Sequence, residues 1–139
     1  MRLVLDTNVV ASGLLWSGAP AQLLDAAQRG EVDLFSSRAL VAELAGILER
    51  AKFARAVAAT GLDVSGLVQG YLELVVLVQP DRVPAVIKAD PADDSVLARA
   101  VTALADAIVS GDRHLHSLGG TYEAIAIVRP AQAVQMLAT

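Results

Sequence analysis

The sequence predicts an α/β fold, a three-layer sandwich with a mostly parallel central sheet of four to five strands. Three observations carry this expectation. Short runs rich in Val, Ile and Leu end at polar residues, which suits strands buried on both faces. Segments with helical spacing of apolar residues separate them, and strands alternating with helices form a largely parallel sheet covered on both sides. The chain has 139 residues, 55% hydrophobic and 19% charged, enough for one core and too apolar for a disordered protein. A single domain over residues 1–139 follows, with no internal repeat or linker.

Arg2 to Leu5 is the first strand, and Asp6-Thr7-Asn8 after it reads as a turn. Gln22 to Ala27 forms a short helix, and Val32 to Phe35 a second strand. Ser37 can cap a helix running to about Arg50, followed by another over Ala51 to Ala59. After Gly61, the spacing of Leu67, Val68, Tyr71, Leu72, Val75 and Val76 predicts a helix. Pro80 and Pro84 break the connector from Gln79 to Asp90, and Asp90-Pro91 opens a helix with Val96, Leu97, Ala100, Val101 and Leu104 as its buried stripe. Ala107 to Val109 and Ile125 to Val128 complete the strands, and Pro130 starts a short terminal helix.

Composition narrows the chemistry. Without cysteine there is no disulfide, thiolate zinc site or thiol nucleophile, and two histidines leave little for an imidazole-rich centre. Every long apolar stretch is interrupted by a charged or turn residue, so no membrane span is expected. Asp6 and Asn8 likewise fall within what would have to be the apolar stretch of a signal peptide, which points to a cytoplasmic protein. The net charge of −4 argues against nucleic-acid binding through a bulk positive field, and leaves room for a locally organised site.

Ligands of open α/β sheets collect at the carboxyl ends of strands. Two strands end there in acids: the first at Asp6, the fourth in Ser110-Gly111-Asp112. Glu43 borders a buried stripe, for on a helical wheel with Leu40 at zero it falls near −60 degrees, between the Leu44, Ile47 and Leu48 face and the solvent. Glu49, near 180 degrees, is the solvated control on that helix, and a bland alternative pairs Glu43 with Arg50. Asp90 and Asp93 suit a helix cap, which leaves Asp94 as a surplus carboxylate. Asp6, Glu43, Asp94 and Asp112 in one site would repel each other unless a divalent cation compensated them. Hard oxygen donors select Mg2+ or Mn2+, ions that activate water and neutralise charge developing on a phosphodiester.

On these residues the sequence resembles the PIN-domain nucleases, particularly the VapC-like toxins of toxin–antitoxin pairs. The resemblance runs from LDTNVV through SSRALVAELAGIL and DPADDSVLARAVTALADAIVSGDRHL to YEAIAIVRP. It matches Asp6-Thr7-Asn8, the helical Glu43, Asp94 before its Leu-Ala step, and Asp112 two residues after Ser110; Asp106 fits a less essential acid, and His114 stands where many relatives carry another acid. It implies an Mg2+- or Mn2+-dependent endoribonuclease (a hydrolase), often a homodimer silenced by an antitoxin protein. Asp6, Glu43, Asp94 and Asp112 become catalytic metal ligands or orienters of water. Asn8, Ser110 and Asp106 become supports for them.

Several readings stay open beside it. Arg113 and His114 are possible phosphate contacts or plain turn residues. The Arg50, Lys52, Arg55 cluster either tracks an RNA backbone or is simply solvated. Trp16 reads as core or dimer surface rather than a base-stacking platform, since no second aromatic lies nearby. Competing functions are a catalytically silent PIN scaffold that binds RNA or protein, and a phosphate-handling enzyme or receiver module using Asp6.

Overall fold

A computed structural model describes residues 1–78, 105–112, 116, 121–122 and 125–138. Its core is a sheet of β1 (Arg2–Leu5), β2 (Asp33–Ser36), β3 (Val75–Leu77), β4 (Ala107–Val109), β5 (Thr121–Tyr122) and β6 (Ile125–Val128). The strand order is β3-β2-β1-β4-β6-β5; the first five in that order run parallel, and only β5, at one edge, is antiparallel. The expected mostly parallel sandwich is therefore present. Leu3, Val4, Ala107, Ile108 and Val109 are fully buried in the two central strands, which is why these runs are apolar at every position rather than alternating.

Helices α1 (Thr7–Leu15), α2 (Ala19–Gln28), α3 (Arg38–Leu48), α4 (Ala54–Ala59), α5 (Val64–Leu72) and α6 (Pro130–Leu137) flank the sheet. Ser37 caps α3 by accepting the Leu40 amide at 3.2 Å, as expected of that position. Asp63 caps α5 through the Gly66 amide at 2.8 Å. Leu40, Leu44, Ile47 and Leu48 form the buried face of α3, in agreement with the wheel.

Four expectations need correction. Residues 7–15 form α1 instead of leaving β1 through an extended turn. The helix expected over Gln22 to Ala27 is longer, Ala19–Gln28, because Pro20 fits its first turn, where a missing N–H costs nothing. The helix expected over Ala51 to Ala59 is a 3-10 turn at Ala51–Phe53 followed by α4. The helix expected to run through Val76 stops at Leu72, and Val75–Leu77 pairs with β2 as a strand. Backbone pairing to a neighbouring strand overrides a spacing that fits both periods. The connector and the helix expected after Asp90 lie outside the described residues.

Gly13 shows how closely α1 and α2 meet. A Cβ there would come within 2.8 Å of Leu24 Cδ1 and 2.9 Å of the Pro20 carbonyl oxygen, so the contact requires glycine. Against the other end of the helical layer, Tyr71 of α5 is buried at 2% exposure; burial pushes its phenol above the usual range, while a hydrogen bond with Ser36 pulls the other way.

Candidate active site

The sheet changes direction of winding between β1 and β4: the chain leaves β1 for β2 and β3 on one side, then returns to β4 on the other. The crevice outside the carboxyl ends of two such strands is where open α/β sheets take ligands. Register puts the polar residues there. Leu5 pairs with Val109, so the next residues, Asp6 and Ser110, emerge side by side. The Asp6 amide donates to the Val109 carbonyl and the Ser110 amide to that of Val128, both at 2.9 Å. These bonds fix the two backbones before any side chain contributes.

The side chains then form a short relay. The Asp112 amide donates to Ser110 Oγ at 2.9 Å, and the Ser110 hydroxyl donates to Asp6 Oδ2 at 2.8 Å. Ser110 is fully buried and Asp6 is 7% exposed, so the bond between them is made where water cannot replace it, while the Asp112 amide is half-buried. His116 holds the same turn from the far side. Its Nε2 lies 2.6 Å from the Ser110 carbonyl oxygen, which can only accept, and its amide donates to the Asp112 carbonyl at 3.2 Å. Sequence reasoning missed His116; its spacing of four and six residues from Asp112 and Ser110 matches no recognised motif, and only the fold reveals the contact.

Burial is the main reason that the Asp6 carboxyl titrates above its ordinary value. The Ser110 hydroxyl lowers it, the nearby Asp112 charge raises it, and the Asn8 and Thr7 amides lower it. Asp6 occupies the N-cap position of α1 with an extended backbone, yet its side chain makes no capping hydrogen bond. The Thr7 and Asn8 amides nevertheless act on the carboxylate, so the helix start and the Ser110 hydroxyl hold it together. A turn role for Asp6 does not account for the relay.

The other expected residues divide by position. Glu43 is half-buried on α3, the helix that packs on α1, whereas Glu49 at its end is exposed, as the wheel requires. Asn8 is exposed in the first turn of α1, next to the buried Thr7. Asp106 does not belong to this cluster: it precedes β4, at the opposite end of that strand from Ser110, and its Oδ2 accepts the Arg2 amide at 2.7 Å. The resemblance that made Asp106 a support for the site does not hold here, because β4 separates its two ends by about 3.3 Å per residue. Asp94, Arg113 and His114 lie outside the described residues. Thr7 was quoted only as part of a motif, but its Oγ1 is buried and has no hydrogen-bond partner among the described residues.

Among the described residues no three His, Cys, Asp or Glu side chains gather into a metal-binding group. The donor chemistry nevertheless suits a hard divalent cation. Asp6 and Asp112 interact as like charges, and Thr7, next to Asp6 in the chain, brings a buried hydroxyl with no hydrogen-bond partner among the described residues. A cleft of about 310 Å3 between α2 and α6, lined by Gln22, Asp25, Arg29, Glu31 and Leu137, is no rival. Arg29 and Glu31 pair at 2.9 Å at its mouth and precede β2, at the amino end of the sheet. No helix of the described residues is long and apolar enough to cross a membrane.

No curated protein and no solved structure matches the chain. A family model for the PIN domain does match, over residues 2–114, a stretch that takes in Asp6, Glu43, Ser110 and Asp112. PIN domains are generally nucleases. With the model spanning most of the sequence and the sheet arranged as described, this chain belongs to the PIN domain family.

Proposed function

We propose that this protein is a metal-dependent endoribonuclease, the toxin of a toxin–antitoxin pair, and that it acts as a homodimer restrained by an antitoxin protein. The observation that carries the reading is the relay from the Asp112 amide through Ser110 to Asp6, which spends two hydrogen bonds on orienting one buried carboxylate. A carboxylate pushed upward by burial and by a neighbouring acid is an unfavourable arrangement for stability alone. It becomes favourable once positive charge arrives.

Asp6, Glu43, Asp94 and Asp112 would hold Mg2+ or Mn2+, the ions that PIN nucleases typically use. Such an ion, when bound, supplies positive charge against the phosphodiester and makes the attacking water more acidic. Ser110 fixes the Asp6 rotamer, leaving its Oδ1 uncommitted to Ser110, and Asn8 lies beside it at the helix start. The first turn of α1 adds the partial positive charge of its amides, Thr7 and Asn8 among them, near the site. Arg113 and His114 contact phosphate in this reading, and hydrolysis adds water across the phosphorus–oxygen bond of the RNA backbone.

The test is cleavage of single-stranded RNA with Mg2+ or Mn2+, followed by EDTA. Cleavage ends on chelation, and Asp6→Asn or Asp94→Asn lowers the rate by orders of magnitude. Cleavage that continues in EDTA refutes the metal mechanism.

A further inference from the structure

One cluster outside the β1–β4 crevice brings together side chains that sequence reasoning kept apart. Trp16, at the end of α1, is 51% exposed, and Phe53, in the 3-10 turn after α3, stands 5.8 Å away with the rings inclined at 63°. The expectation that Trp16 has no aromatic neighbour is therefore corrected: 37 positions of sequence separate two rings that touch in space. Lys52 Nζ sits 5.0 Å from the centre of the Phe53 ring, a cation–π contact that holds its charge beside the pair.

The charges that flank Phe53 in the chain have one sign. Arg50, Lys52 and Arg55 are exposed on consecutive turns, and residues 50–55 contain no acid. Among the described residues none of the three forms an ion pair, and Glu49, exposed at the end of α3, is the bordering acid. Residues 7–24, which carry Trp16, contain no charge at all. On a chain of net charge −4, this is a local reversal of sign next to an exposed aromatic ring.

We propose that Trp16, Phe53 and the cations Arg50, Lys52 and Arg55 form a platform for single-stranded RNA, with a base stacked on Trp16 and the backbone along the cations. The proposal rests on the ribonuclease reading above and deepens it by naming where the strand is held. A protruding indole edged by another ring offers a face to an unpaired base, and free cations beside it meet phosphates; together they serve single strands without sequence preference. Helix α1 links the platform to the crevice. Asp6 precedes its first residue and Trp16 follows its last, so the two lie about 15 Å apart along the axis, a few nucleotides of strand. A second copy of the chain is the other occupant of an exposed Trp, but a dimer face gains nothing from three unpaired like charges.

Trp16 is the only tryptophan, so its fluorescence reports on the platform directly. The full chain is titrated with oligouridylate in EDTA, where no cleavage is expected, while fluorescein anisotropy follows binding of the same RNA. The expected result is saturable quenching with the same midpoint as the anisotropy. Trp16→Ala weakens binding at least fivefold, which corresponds to the lower end, about 1 kcal/mol, of the stacking range per base at 1.4 kcal/mol per tenfold. Lys52→Ala and Arg55→Ala, which remove no packed ring, each flatten the slope of log affinity against log salt by about 0.7. Absence of quenching overturns the platform whether or not the RNA binds elsewhere, and emission that shifts on concentrating the protein without RNA assigns the surface to a second copy instead. Cleavage in Mn2+ is measured on the same protein. Cleavage without quenching removes the platform and leaves the nuclease, whereas quenching without cleavage removes the nuclease and leaves an RNA-binding PIN domain.

Discussion

Ser110→Ala tests the relay at its centre. The substitution deletes one hydroxyl from a fully buried residue and leaves the backbone bond from its amide to Val128 intact. It removes a 2.8 Å donation to a buried carboxylate, worth about 1.5–3 kcal/mol as a hydrogen bond to a charged group. It also removes the acceptor for the Asp112 amide, which is half-buried and recovers part of the loss from water, for a further ~1 kcal/mol. The total is about 2.5–4 kcal/mol, and at about 3–4 °C per kcal/mol for a domain of this size the melting temperature falls by about 8–16 °C. Melting is followed by circular dichroism in EDTA at neutral pH and then at falling pH. The donated bond favours ionised Asp6, so the penalty is largest where Asp6 is charged and shrinks as pH falls through its raised value, where only a neutral bond of about 1 kcal/mol is lost. In an Asp6→Asn background the same substitution costs less, with a coupling of about 0.5–2 kcal/mol. A penalty that is identical at every pH, or unchanged beside Asn at position 6, refutes the relay as an anchor of that carboxylate.

Asp6→Asn raises the melting temperature in EDTA at neutral pH and forfeits most of the gain that the parent shows in millimolar Mn2+. The sign follows from the upward shift: the folded protein binds the proton more readily than the unfolded one, so stability falls as pH rises from the ordinary value of 3.8 through the raised one. A variant less stable than the parent throughout would show that the charge is welcome without metal. Glu43→Gln lowers RNA cleavage at least tenfold and Glu49→Gln leaves it within twofold, because Glu43 borders the packed face of α3 and Glu49 is exposed; equal effects would remove Glu43 from the site. Gly13→Ala costs about 1–3 kcal/mol in urea melts through the clash with Leu24 and Pro20, whereas Gly46→Ala in α3, with nothing within 4 Å, stabilises by about 0.5–1 kcal/mol. Equal effects of the two would deny the close approach of α1 and α2.

What the sequence disclosed depended on whether the deciding interaction is local. The strands at Arg2–Leu5, Ala107–Val109 and Ile125–Val128 were legible because burial on both faces demands a continuous apolar run. Helix α1 was not, because Asp-Thr-Asn after a strand suits a turn equally well and Val9, Val10, Ala11, Leu14 and Leu15 form no narrow stripe. Strand β3 was hidden because Val75 and Val76 continue the helical spacing of Tyr71 and Leu72. In the site, Asp6, Ser110 and Asp112 could be found as polar residues at strand ends. The direction of β4, which carries Asp106 away from them, the His116 contact and the Trp16–Phe53 pair depend on distances that no local pattern encodes.

The bond between Ser110 and Asp6 joins residues 104 positions apart, and this has a consequence for synthesis. Strands β1, β2 and β3 occupy one continuous part of the sheet and come from the first 77 residues, so they can begin to pair while the rest of the chain is still being made. The crevice cannot form with them. Its second wall is β4, which must emerge and close a loop of about a hundred residues at an entropic cost of roughly 4 kcal/mol before Asp6 meets its partner. A nascent chain that stalls before Ala107 therefore carries Asp6 without the strand end that lies beside it. On the proposed ribonuclease reading, the order in which the strands appear withholds activity from the message and the ribosome until Ala107–Val109 has been made.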